Sequence, residues 1–124
     1  MANLQDYMTD MVENSWVQTG NATAAQLTAT QAAPGPKRHN VVVKCDASYS
    51  TSTQDGLLQV LFGATVVGQK YIHGAGAIDF GMLGFEDRNA NEAVSAVLAA
   101  GAAAVVGNIT FTGYTTGPRS GEGL

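Results

Sequence analysis

From Arg38 to His73 the chain alternates between apolar and polar side chains. Val41, Val43, Cys45, Ala47 and Tyr49 share one parity, and Asn40, Lys44, Asp46, Ser48 and Ser50 share the other. Successive side chains of a strand point to opposite faces, so this period of two predicts a half-buried strand. After the polar break at 50–55, Leu58, Val60 and Phe62 share a face. Phe62-Gly63-Ala64-Thr65 then reads as a tight turn, because glycine accepts the positive φ that hairpins require. The chain returns through Val66, Val67, Lys70, Tyr71 and Ile72.

The same reading extends in both directions. Ala24 to Ala32 alternates Ala25, Leu27 and Ala29 against Gln26, Thr28 and Thr30, and Pro34-Gly35-Pro36 follows it. Proline cannot donate to a ladder, so the strand ends there. Ala77 to Phe80 is a further short strand. Ala93 to Val106 can be read as an alanine-rich helix capped by Asn89 or Asn91, or as a strand bounded by Asn91 and Gly101. The strands on each side decide for strand, because a meander needs no crossover helix. Val105 to Thr115 is the last, with Val105, Ile109 and Phe111 on one parity. Seven or eight short strands, spaced about 8–12 residues apart, predict an all-β, jelly-roll-like or immunoglobulin-like β-sandwich. Its core is expected to contain Val43, Cys45, Val60, Phe62, Ile109 and Phe111.

Only the N-terminus departs from this pattern. Leu4, Tyr7, Met8, Met11 and Val12 lie at helical spacing, with Asp6, Asp10 and Glu13 off that stripe. A helix this short is marginal alone in water, so the segment must dock on its own sheet or on a neighbour. Trp16 follows, just before the turn-like Thr19-Gly20-Asn21. Such a tryptophan is either a local plug on the core or an anchor into a partner. Interfaces enrich the residue and the segment before it has no evident covering layer, which favours the anchor. The expected organisation is a helical or extended arm at 1–20, a β-sandwich at 21–116 and a flexible tail at 117–124. The candidate interface residues are Leu4, Tyr7, Met8, Met11 and Trp16.

Composition changes the picture in one respect. Charged residues make up 13% of the 124, about half the usual share of roughly 25%. So sparse a surface fits a chain partly covered by other subunits, or a small secreted β-domain with a Ser/Thr-rich exterior. The net charge of −4 argues against nucleic acid, whose phosphates call for clustered Lys and Arg. Met1 to Gly20 lacks the basic start and apolar core of an export signal, and no run reaches the ~20 apolar residues of a membrane span. The chain is expected to be made in the cytoplasm.

Candidate chemistry is thin. Cys45 is the single cysteine, on an apolar face, and reads as a buried structural thiol. His39 stands beside Lys37 and Arg38, and His73 and Asp79 bracket a glycine turn; neither histidine has a partner at ligand spacing. Glu86, Asp87 and Glu92 surround one loop with oxygen ligands but match no calcium-loop spacing. Gly74-x-Gly76 has Asp79 where a dinucleotide fingerprint needs its third glycine. No catalytic residue, metal or cofactor is therefore expected.

Three stretches carry a resemblance: TGNATAAQLTATQAAPGPKRHNVVVKCDASYS, GLLQVLFGATVVGQKYIHG and NEAVSAVLAAGAAAVVGNITFTGYTT. Together they resemble small virion proteins of tailed bacteriophages, over roughly Thr19 to Thr116. The likeness rests on the order of strands and turns, and the arm from Met1 to Trp16 falls outside it. It implies a β-sandwich capsid decoration (cement) protein, often trimeric, on the outside of the head. Its partners would be the major capsid protein and its own copies. Some relatives belong to tails or fibres. A second expectation is thus an adhesin-like or carbohydrate-binding sandwich that uses Tyr49, Phe85 and Tyr114.

Overall fold

A computed structural model describes residues 4–117. The tail expected to be flexible therefore lies, from residue 118 on, outside the described residues, as do residues 1–3. Among the described residues one helix and nine strands follow in chain order: α1 (Leu4–Glu13), β1 (Ser15–Thr23), β2 (Leu27–Gln31), β3 (His39–Tyr49), β4 (Asp55–Phe62), β5 (Thr65–His73), β6 (Ala75–Asp79), β7 (Phe85–Glu86), β8 (Val94–Leu98) and β9 (Val106–Thr116).

Backbone pairing runs β1-β9-β3-β6-β5-β4-β8-β2, all of it antiparallel, with β7 added on β3. The link between β6 and β5 is a single pair, His73 with Ala75, across the Gly74 corner. The path therefore folds into two four-stranded layers, β1-β9-β3-β6 and β2-β8-β4-β5. At the other edge β1 and β2 face each other, and Gln18 Nε2 donates to Gln31 Oε1 at 2.8 Å. This is a jelly roll.

The core lies between the layers. Val42, Cys45, Ala47, Tyr49, Ile109 and Phe111 face inward from one, and Leu27, Ala29, Leu58, Val60, Phe62, Val94, Ala96 and Leu98 from the other. Registers match the faces: Cys45 pairs with Phe111 and Ala47 with Ile109, while Ala96 sits between Ala29 and Val60. Of the six expected core residues, five are buried. Val43 is the exception. The β3–β9 register slips between Val42 and Lys44, so Val43 is the extra residue of a bulge. A bulge switches parity. Val42 thereby takes the core position, and Val41 is buried on the opposite face near Gly84.

Trp16 also requires correction. Every residue of β1 from Ser15 to Thr23 pairs with β9, so the boundary expected at residue 20 falls inside a strand. Trp16 points inward at 9% exposure, and its ring meets Phe111 edge-on, with centroids 5.1 Å apart at 68°. It also lies over Gly113, where a Cβ would collide with the indole. It plugs its own core, whereas the sequence alone favours an anchor outside it. The segment before it is helical.

Candidate functional site

Helix α1 lies against β9 and β1 with its polar side inward. Tyr7 Oη donates to Glu86 Oε2 at 3.2 Å. Asp10 is buried and accepts from Asn14 Nδ2 at 3.0 Å and from the Gly117 amide at 3.4 Å. The Asn14 carbonyl in turn accepts from the Thr115 amide. Residues 7, 10 and 14 stand three and four apart and so share one face. Leu4, Met8 and Val12 share another and face solvent, 57%, 56% and 82% exposed. Met11 is half-buried at the border between the two. The usual arrangement of an amphipathic helix on a globular domain is thus inverted. Of the five interface candidates, Leu4 and Met8 are on the free surface, Tyr7 is tied to β7, and Trp16 is in the core.

The three aromatics expected to bind a glycan do not form a platform. Tyr49 is buried and donates its hydroxyl to the Ala99 carbonyl at 2.7 Å. Tyr114 is 1% exposed and donates to the Leu83 carbonyl. Phe85 alone of the three reaches the surface, 41% exposed, and packs against Phe80 (5.8 Å, 25°) and Phe62 (5.4 Å, 39°).

Beside Phe85 runs a groove of about 250 Å³ lined by Phe62, Val67, Glu86, Asp87, Arg88 and Glu92 among others. Asn40 of β3, fully buried, ties down the segments beside it: its Nδ2 donates to the carbonyls of Glu92 and Ala32, and its backbone carbonyl accepts from the Asp87 amide. Asp87 is 2% exposed. Its Oδ1 accepts from the Asn89 amide at 3.0 Å, whereas its Oδ2 has no donor. Burial pushes the Asp87 carboxyl up to about 6, and the adjacent Glu92 carboxyl adds to the rise, while the Asn89 amide and His39 oppose it. Two ionised carboxylates have no hydrogen to share, so Oδ2 is satisfied only by a proton or by an incoming cation.

Residues singled out for chemistry are dispersed. His73 contacts Asp55, and both side chains are mostly exposed. Asp79 accepts from the Gly81 amide at 2.8 Å, an Asx turn. Burial, with the negative charge of Asp46, pushes the Cys45 thiol up to about 12, so no useful thiolate forms at neutral pH. Among the described residues no group of three His, Cys, Asp or Glu side chains can hold a metal ion. No helix among them is long and apolar enough to cross a membrane.

No family model and no curated protein matches the chain. Among solved structures the chain is similar to an insecticidal delta-endotoxin from Bacillus thuringiensis, with 13% identity and a TM-score of 0.43. That match covers 83% of this chain and 19% of the toxin chain. A likeness this distant carries no argument about function.

Proposed function

We propose that the chain is a structural virion protein, a decoration or cement module that binds the outside of a phage head. In this reading it acts through α1 and through contacts among its own copies, as a homotrimer. The observation that supports it best is the orientation of α1. Hydrogen bonds hold its polar face to the jelly roll, and Leu4, Met8 and Val12 point away from the domain. Burying such side chains is favourable by about 25 cal/mol per Å², so a partner that covers this stripe is stabilised by it. The low charge of the chain agrees with a covered surface. Fold-level analogy adds weight, since jelly rolls recur in viral capsid domains.

The test replaces Leu4, Met8 and Val12 together by glutamine and adds the product to particles that lack the protein. The variant should keep its melting temperature and circular dichroism spectrum, because these side chains touch little of the domain, and lose attachment. Full-strength attachment by the variant would sink the assignment. Quantification of purified particles should find the wild-type protein in many copies.

A further inference from the structure

We propose that the groove beside Phe85 is a binding site for a guanidinium group, an arginine side chain presented by a partner protein. Three observations converge. First, Asp87 is a buried carboxylate with one oxygen lacking a donor, and Glu92 stands against it. Once its proton is lost, a buried charge without a partner is costly, and a cation can take the proton's place. Arg88 on the rim is exposed, and no ion pair joins it to Asp87 or Glu92. Second, Phe85 is 41% exposed at the groove, and its ring is held in place by packing against Phe80 and Phe62. An exposed aromatic ring attracts a cation through its quadrupole. Third, the groove, at about 250 Å³, is smaller than the roughly 300–1,000 Å³ of sites for drug-sized ligands. It suits one long side chain and not an oligosaccharide.

Guanidinium fits better than ammonium. Its planar fork can meet two carboxylates at once, it stacks on aromatic faces, and it gives up its hydration more readily. Glu86 lines the same groove, but its Oε2 is already engaged by Tyr7, so it contributes field more than a free ligand atom.

The experiment is a nuclear magnetic resonance titration of the full chain near neutral pH with a capped Gly-Arg-Gly peptide. Parallel titrations use the same peptide with citrulline, which is neutral and isosteric, and with lysine. The arginine peptide should give saturable shifts at the amides of Phe85, Asn89 and Glu92. The citrulline peptide should bind at least ~10-fold more weakly, the loss expected for a charge-assisted contact. Phe85→Leu and Glu92→Gln should each weaken the arginine peptide; both sites are partly exposed, so these variants should fold. Absence of saturable shifts, equal binding of citrulline, or lysine binding as tight as arginine would each overturn the proposal. Because no particle is present, failure here leaves the assembly reading standing, and the glutamine variant of α1 leaves this site intact.

Discussion

Trp16→Ala is the perturbation that most directly tests whether β1 belongs to the domain. The side chain is 9% exposed, contacts Phe111 edge-on and covers Gly113. Removal of a buried Phe or Trp side chain typically costs about 3–5 kcal/mol, because apolar burial is lost and a cavity remains. The edge-on aromatic pair adds about 0.5–1.5 kcal/mol beyond its area. One term works the other way. Trp16 Nε1 is buried without an acceptor, a defect that costs about 1–3 kcal/mol and disappears with the ring. The net expectation is about 3 kcal/mol.

For a domain of this size each kcal/mol shifts the melting temperature by about 3–6 °C. Trp16→Ala should therefore lower it by roughly 10–20 °C in a calorimetric scan. Trp16→Phe keeps the contact with Phe111 and removes the unpartnered N–H, so it should cost only about 1–2 kcal/mol. A loss below about 1 kcal/mol for the alanine variant would refute the packing, and would return Trp16 to the role of an anchor outside the core.

Two further outcomes follow from the titratable groups. Cys45 should resist thiol reagents in the native protein and react on unfolding, and Cys45→Ser should cost about 1–3 kcal/mol by burying a hydroxyl; rapid native labelling would contradict its burial. Asp87 keeps its proton up to about 6 in the folded chain and releases it near 3.8 when unfolded. Between those pH values the folded state binds more protons, so stability falls as pH rises, by up to about 3 kcal/mol, and the loss is complete above 6. Denaturant titrations should show that decline in the wild type and a flatter profile in Asp87→Asn, whose amide can donate to Glu92. Identical profiles would sink the assignment.

Much of the jelly roll was readable in advance because its strands are amphipathic. The alternation at Val41–Tyr49, the Phe62–Thr65 hairpin and the choice of strand for Val94–Leu98 all correspond to observed elements. What alternation does not reveal is a change of parity. Val41-Val42-Val43 are equally apolar, and the bulge that places Val42 in the core depends on the register with β9, about seventy residues away in sequence. β1 escaped for a similar reason. Its inward side carries Trp16, Gln18, Gly20 and Ala22, of which only the first is a large apolar residue. That strand is defined by its long-range ladder with β9, and strand propensity follows such context.

The site was less legible than the fold. Helical spacing shows which residues share a face but not which face docks. Tyr7 meets Glu86 and Asp10 meets Gly117 across separations of 79 and 107 residues, and those contacts turn the polar side inward. In the sequence Asp87 and Glu92 are only loop carboxylates that match no ligand spacing. The burial of Asp87 accompanies Asn40 of β3 reaching across to both segments, which no local pattern encodes.

The exposed stripe also bears on oligomeric state. Full burial of a Leu, Met or Val side chain contributes about 1.5–3 kcal/mol. Leu4, Met8 and Val12 are already 43%, 44% and 18% covered, as their exposures of 57%, 56% and 82% imply. Covering the remainder yields about 1–2 kcal/mol each, or about 3–6 kcal/mol per copy. Association itself costs an estimated 4–15 kcal/mol. A single stripe is therefore too weak to hold one copy on a surface. Three stripes presented by one trimer raise the effective concentration of the second and third contacts, which can strengthen attachment by about 10²–10⁴-fold. Light scattering of the free protein should give about three times the chain mass of 12.8 kDa. A substitution that breaks self-association without touching α1 should then weaken particle binding by a similar factor. A monomer that attaches as firmly as the wild type would show that the stripe is not the principal contact.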